Sequence, residues 1–287
     1  MRRLLVALLS GTLLVGAVGC GGDDEGGGEP AAVAVEVTPS GQGRFKLEAP
    51  ESVEAGLVRL EFRNGTKDDA EAFLMRLEDG HTLEEALALI SSDAPTIPDW
   101  FLAEGGVGTT KPGKSGVVEL VLEEGTYYIL DAASEGDDTE SHAENGATAT
   151  LEVSGGDDGA ELPEVDASIE MNEYSFVTEG LKPGRNRFLL QNTGDELHHT
   201  VFFPIREGAT FAQVREFMTS DEQGSDAPPP VDFENTQNTT VLDGGREQID
   251  ELEFAAGRYA LVCFITDREG GPPHVVKGML REVTISE

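Results

Sequence analysis

Phe188-Leu189-Leu190-Gln191-Asn192-Thr193-Gly194 has a counterpart earlier in the chain, Leu60-Glu61-Phe62-Arg63-Asn64-Gly65-Thr66, at an offset of 128 residues from Asn64 to Asn192. The match continues through Glu78-Asp79-Gly80-His81-Thr82-Leu83 and Arg206-Glu207-Gly208-Ala209-Thr210-Phe211. Further on, Val117-Val118-Glu119-Leu120-Val121-Leu122-Glu123-Glu124-Gly125-Thr126-Tyr127 matches Ile249-Asp250-Glu251-Leu252-Glu253-Phe254-Ala255-Ala256-Gly257-Arg258-Tyr259 at an offset of 132, and Gly146 and Gly278 keep that offset. Self-similarity over such a length means that one structural unit has been built twice. Ser154-Gly155-Gly156-Asp157-Asp158-Gly159 breaks the composition between the copies and reads as a linker.

Within each copy the local signals are those of strands. Phe73, Met75 and Leu77 alternate with Leu74 and Arg76, the period of a pleated segment. Gly-Thr-Tyr-Tyr-Ile-Leu (125–130) and Gly-Arg-Tyr-Ala-Leu-Val (257–262) are short apolar runs opened by a turn glycine. One helix is expected in the same place in each copy. Thr82-Leu83-Glu84-Glu85 begins it with a capping box, and Leu83, Ala86, Leu87 and Ile90 form its apolar stripe. Thr210-Phe211-Ala212-Gln213 does the same for Phe211, Val214 and Phe217. Pro-rich loops follow both (Pro95, Pro98; Pro228, Pro229, Pro230). The expected fold is all-β: two tandem Greek-key β-sandwiches, each with one short inserted helix, over 31–153 and 165–287, joined by a linker at 154–164.

The 287 residues carry 20 Lys and Arg against 55 Asp and Glu, a net charge of −35. Such a surface repels nucleic acid and anionic membrane surfaces, and favours a basic protein partner. Arg2 and Arg3 followed by the apolar stretch from Leu4 to Val18 read as an export signal over 1–19, too short for a membrane span. Ala17-Val18-Gly19-Cys20 resembles a bacterial lipobox, which implies cleavage before Cys20 and a lipid on that residue. Alanine where leucine is usual leaves ordinary signal cleavage open. Residues 20–30 have nothing apolar to bury and read as a flexible acidic tether. The expected location is the cell membrane, lipid-anchored, on its extracytoplasmic face. Cys263 then remains as a lone thiol in an oxidising compartment, which requires either burial or a metal.

The second copy holds a candidate metal-binding set. His198-His199 opens a strand after Asn192-Thr193-Gly194-Asp195-Glu196-Leu197, Cys263 ends the run Tyr259-Ala260-Leu261-Val262-Cys263, and His274 and Met279 follow. This His, Cys, His, Met order resembles the cupredoxins, the small blue copper proteins, over most of 166–285 and more weakly over 31–153. The resemblance implies one copper ion in the second domain, bound by His198 or His199 with Cys263, His274 and Met279, and electron transfer with a redox partner. A thiolate and two imidazoles with a weak thioether suit a metal that cycles between Cu(I) and Cu(II). Strand parity groups His199 with Val201, Phe203 and Ile205, whereas distance from the turn favours His198; both stay as candidates. Cys263 and His274 stand 11 positions apart, longer than the loop of the small blue copper proteins.

At the matching positions the first copy has Ala70 and Glu71 for the histidine pair, Asp131 for Cys263, His142 for His274 and Ala147 for Met279. A blue copper site is excluded there. Glu71, Asp131 and His142 could form a harder site, but a degenerate structural copy is the better reading. The chain has five histidines and no His-X-His pair, whereas multicopper oxidases use many histidines in such pairs, so the protein is not expected to be an enzyme. The alternative function is a metal-free cupredoxin-like lipoprotein with a binding or structural role.

Overall fold

The computed structural model describes residues 29–92, 96–134, 139–157, 159–220 and 228–286. The expected signal (1–19), the lipidation candidate Cys20 and residues 21–28 of the tether lie outside the described residues. Among the described residues no helix is long and apolar enough to cross a membrane.

The first repeat contributes β1 (Ala31–Gly41), β2 (Arg44–Glu48), β3 (Ser52–Asn64), β4 (Ala70–Leu77), α1 (Leu83–Ile90), β5 (Phe101–Thr110), β6 (Ser115–Leu122), β7 (Gly125–Leu130) and β8 (Thr148–Gly156). The second contributes β9 (Ala167–Asn172), β10 (Ser175–Glu179), β11 (Gly184–Asn192), β12 (Val201–Pro204), α2 (Phe211–Thr219), β13 (Gln237–Asn238), β14 (Glu247–Phe254), β15 (Gly257–Val262), α3 (His274–Lys277) and β16 (Leu280–Ile285). Strand β8 continues through Ser154, Gly155 and Gly156, the first residues of the expected linker.

Pairing repeats between the copies. One layer runs β2-β1-β3-β6 in the first and β10-β9-β11-β14 in the second, with β1 parallel to β3 and β9 parallel to β11. The facing layer runs β8-β7-β4-β5 in the first and β16-β15-β12-β13 in the second. Each repeat is thus a Greek-key β-sandwich of two facing layers. Alternation builds each core: in β11, Asn186, Phe188, Leu190 and Asn192 point inward and the residues between them do not. Burying each such Phe or Leu stabilises by about 2 kcal/mol. Both expected capping boxes form, Thr82 with Glu85 and Thr210 with Gln213.

One feature was not legible in the sequence. Strand β14 pairs with β6 through Ile249↔Glu119 and Asp250↔Val118, so one sheet crosses from repeat to repeat. Each strand would otherwise leave an edge with unpaired backbone groups. Arg59 of β3 bridges Glu119 of β6 and Glu251 of β14, at 3.0 Å to each, over this junction.

Candidate metal centre

A buried asparagine shapes the approach to the site in each repeat. Asn192 Nδ2 donates to the carbonyls of Glu196 (2.7 Å) and Leu242 (2.9 Å), and its Oδ1 accepts from Gly194 N. Asn64 does the same with Asp68, Thr110 and Thr66. The quoted asparagine motif is therefore a loop staple, fully buried in both copies, and holds the chain that leads to position 198.

His198 then pairs with Leu242, donating its N–H and accepting in return at 3.0 and 2.8 Å. Its side chain is on the face of Thr200 and Phe202. Phe202 packs in the sandwich interior with Leu261, Cys263 and Met279, and Thr200 Oγ1 meets Met171 of the same cluster at 3.3 Å. The parity grouping of His199 with Val201 and Phe203 holds, but that face packs on Val214 of α2 and Val275 of α3, on the far side of the sheet from the thiol. Both faces of β12 are buried, so hydrophobicity along the strand could not tell inside from outside. His199 is thereby corrected from candidate donor to another role: its Nε2 accepts the backbone N–H of Phe264 at 3.0 Å and anchors the residue after Cys263.

Three donor atoms converge. Cys263 Sγ lies 3.5 Å from His274 Nδ1 and 3.9 Å from His198 Nδ1, and the two Nδ1 atoms are 3.0 Å apart. Among the described residues this is the only group of three or more His, Cys, Asp or Glu side chains close enough to hold a metal ion. The three residues and Met279 are all 0% exposed. Met279 joins through the backbone: Cys263 N donates to Met279 O at 3.3 Å, and Met279 N to His274 O at 2.8 Å.

Protons follow from the network. His274 Nε2–H donates to Asp267 Oδ1 at 3.0 Å, which leaves the His274 Nδ1 lone pair facing inward. His198 Nδ1–H then donates to it, and the buried Nε2 of His198 has no hydrogen-bond partner. Burial, reinforced by His274, pushes His198 down to about 4. Burial also lowers His274, against the pull of Asp267. The Cys263 thiol is pushed up to about 11 by burial. The metal-free set is thus two neutral imidazoles and a thiol, uncharged as a buried set should be. His198 Nδ1, His274 Nδ1 and Cys263 Sγ would hold a metal ion there in place of the His–His hydrogen bond, with the thiol proton released to solvent and the His198 proton kept on its Nε2. The set of one thiol, two imidazoles and a thioether, closed to water, is suited to one copper ion.

The long segment between Cys263 and His274 folds back over the donors and ends in α3, a turn absent from the sequence reading. His274 N donates to Ile265 O and Val275 N to Cys263 O, each at 2.8 Å. Asp267 on this segment holds His274, accepts from Tyr174 OH at 3.0 Å and pairs with Lys277. Burial works against the Asp267 carboxylate, and its bonds to Lys277, Tyr174 and His274 outweigh it and keep it low. Tyr174 takes φ 60°, a left-handed conformation uncommon outside glycine, and lays its ring edge to face on His274 at 5.3 Å. Tyr174, Asp267 and Lys277 belong to no recognisable spacing, so sequence reading missed them.

In the first repeat the same framework holds a different end. Asp131 accepts from His142 Nδ1 at 2.8 Å, with both side chains buried. Its other oxygen accepts from Glu71 N and Ala133 N at 3.0 and 3.1 Å. Ala70 and Ala147 fill the remaining positions, 0% exposed, and Glu71, Asp131 and His142 do not form a donor cluster.

No family model matches the chain, and neither does any curated protein. Solved structures that align with it include a copper nitrite reductase from Nitrosomonas europaea (13% identity, 90% of this chain and 94% of that one, TM-score 0.29). A multicopper oxidase aligns at 15% identity over 90% of this chain and 88% of that one, TM-score 0.23. Auracyanin B aligns with 44% of this chain over 92% of its own, at 19% identity and TM-score 0.27. Likenesses this distant carry no argument; the fold rests on the strand order and the site on its own geometry.

Proposed function

We propose that the second repeat binds one copper ion through His198 Nδ1, Cys263 Sγ, His274 Nδ1 and the Met279 thioether, and that the protein is an exported, lipid-anchored carrier of electrons or of copper. The observation that carries this is the convergence of Cys263 and two imidazoles, from three separate segments, with all three residues 0% exposed. Bound copper would supply one-electron redox chemistry. The chain's own part is to exclude water, to hold the His274 imidazole through Asp267, and to release the Cys263 proton on loading. Complete burial of the donors supports transfer over catalysis, since it gives a substrate no open position. The acidic surface supports a basic redox partner, and the lipobox-like segment supports the anchor.

Cu(II) added to the purified protein is expected to give an intense thiolate-to-copper charge-transfer band in the visible at one ion per chain. Cys263→Ser is expected to abolish it. A colourless protein without stoichiometric copper overturns the proposal. One observation favours a second reading, a metal-free binding or structural lipoprotein: the donors already satisfy one another through the 3.0 Å His198–His274 bond. That reading expects the same melting temperature with and without copper, where the first expects a rise by ligand linkage.

A further inference from the structure

Among the described residues the first repeat has no donor cluster of its own, yet it holds the segment that positions a donor of the second. Arg268, next to Asp267, makes the connection. Its Nη1 donates to Pro98 O at 2.9 Å and its Nη2 to Phe101 O at 3.2 Å, both in the first repeat. The Arg268 carbonyl accepts from Ile97 N at 2.8 Å, and its N–H donates to Glu196 Oε2 at 2.7 Å. Nη2 also meets Asp243 Oδ2 at 2.5 Å. Asp243 is itself tied to the first repeat, since its N–H donates to Ala103 O at 2.9 Å and Ala103 N donates back to Oδ2. Ile265, two residues after Cys263, packs into the cluster of Phe73, Met75, Phe101 and Leu130 in the first repeat. The Arg268 side chain is only 16% exposed, and a planar guanidinium with three acceptors is held in one orientation.

We propose that the first repeat is a clamp on the metal-binding segment, and that Arg268 is the positioning residue through which it fixes Asp267 and hence His274. A segment of this length closed only by its two ends would sample many conformations. One peptide bond separates the residue anchored in the first repeat from the residue that holds the imidazole. The pairing of a donor-free copy with a loaded one then has a purpose: the degenerate repeat supplies rigidity that the long segment lacks. Its metal arm rests on the copper reading above; its thiol arm does not.

The test uses the full chain with Cys20→Ser, so that Cys263 is the one thiol. Arg268→Ala and the milder Asp243→Asn are compared with Arg59→Ala, which breaks the ion bridge over the sheet junction without touching the segment. In metal-free protein, the reaction of Cys263 with a disulfide reagent is expected to quicken about tenfold in Arg268→Ala, less in Asp243→Asn, and not at all in Arg59→Ala. In copper-loaded protein, competition with a chelator should show affinity lowered about 10- to 100-fold by Arg268→Ala, with a shifted visible band, and unchanged by Arg59→Ala. Unaltered thiol reactivity in both Arg268→Ala and Asp243→Asn overturns the clamp, as does an equal change in Arg59→Ala. Wild-type protein that takes up no copper overturns the copper reading alone, and the thiol rates still decide the clamp.

Discussion

The two ends where Asp131 meets His142 and Cys263 meets His274 share one backbone and differ in chemistry. Five hydrogen bonds recur at the offset of 132. Ala143 N to Asp131 O and Val275 N to Cys263 O are both 2.8 Å, as are His142 N to Ala133 O and His274 N to Ile265 O. Ala147 N to His142 O and Met279 N to His274 O are 2.9 and 2.8 Å; Asp131 N to Ala147 O and Cys263 N to Met279 O are 3.1 and 3.3 Å; Gly146 N to Ala143 O and Gly278 N to Val275 O are 3.0 and 3.3 Å. Both turns close on a left-handed glycine, φ 103° at Gly146 and 113° at Gly278. An aromatic ring from the first hairpin leans on the histidine in each, Phe45 on His142 and Tyr174 on His274. On this shared scaffold the Asp131 carboxylate takes up His142 Nδ1 at 2.8 Å, the nitrogen that corresponds to the inward-facing one of His274. Cys263 Sγ stands 3.5 Å from that nitrogen of His274, and with a second imidazole in place of Ala70 the same geometry becomes a donor set. The scaffold is what both copies keep; binding depends on three side chains.

The comparison can be broken most severely in the first repeat. Asp131→Ala strands a buried imidazole and two backbone donors, and is expected to destabilise by about 3–5 kcal/mol in urea denaturation, while a copper band from the second repeat persists. If that band disappears with Asp131, the two ends are not independent. The asparagine staples sharpen the contrast at about 2 kcal/mol each. Asn64→Ala and Asn192→Ala should cost similar stability, because their hydrogen bonds match, but only Asn192→Ala should weaken copper binding, since it alone steadies the approach to His198. Equal effects on copper would refute the division of labour.

The smallest effect is electrostatic. Burial and the nearby Asp131 push Glu71 up to about 7. Its folded-state pKa lies above the unfolded value of 4.5, so the native state prefers it protonated. The associated stability is present below that unfolded value and lost as pH rises toward 7. Glu71 is half-buried, so Glu71→Gln should remove about 1 kcal/mol of this pH dependence between pH 4.5 and 7. Melting temperatures of both proteins across that range would show it, and parallel curves would refute it.

Much of the fold was legible because its signals are local. The repeat offsets and the capping boxes at Thr82 and Thr210 are properties of short segments, and the boxes stand where the sequence placed them. The alternation read at 73–77 marks a strand, but Phe73, Leu74 and Met75 are all buried because both faces of β4 are covered. The order His, Cys, His, Met was also legible, as four residue types in sequence. The choice between His198 and His199 was not. Parity names two faces but not which is the interior, and α2 with α3 makes the second face of β12 as apolar as the first.

Tertiary structure alone decided three further matters. It folded the 264–273 segment back, through Asp267 on His274 and Arg268 on the first repeat, contacts 7 and 170 positions apart in sequence. It joined β6 to β14, because an unpaired edge accepts whichever strand is brought near. It also set the proton inventory of the donor set, because burial and the partner of each nitrogen decide which atoms carry hydrogen. Periodicity and composition report what each segment does with its neighbours in sequence. Which segments meet, and with which side inward, is settled only when the apolar faces of the whole chain compete for the same interior.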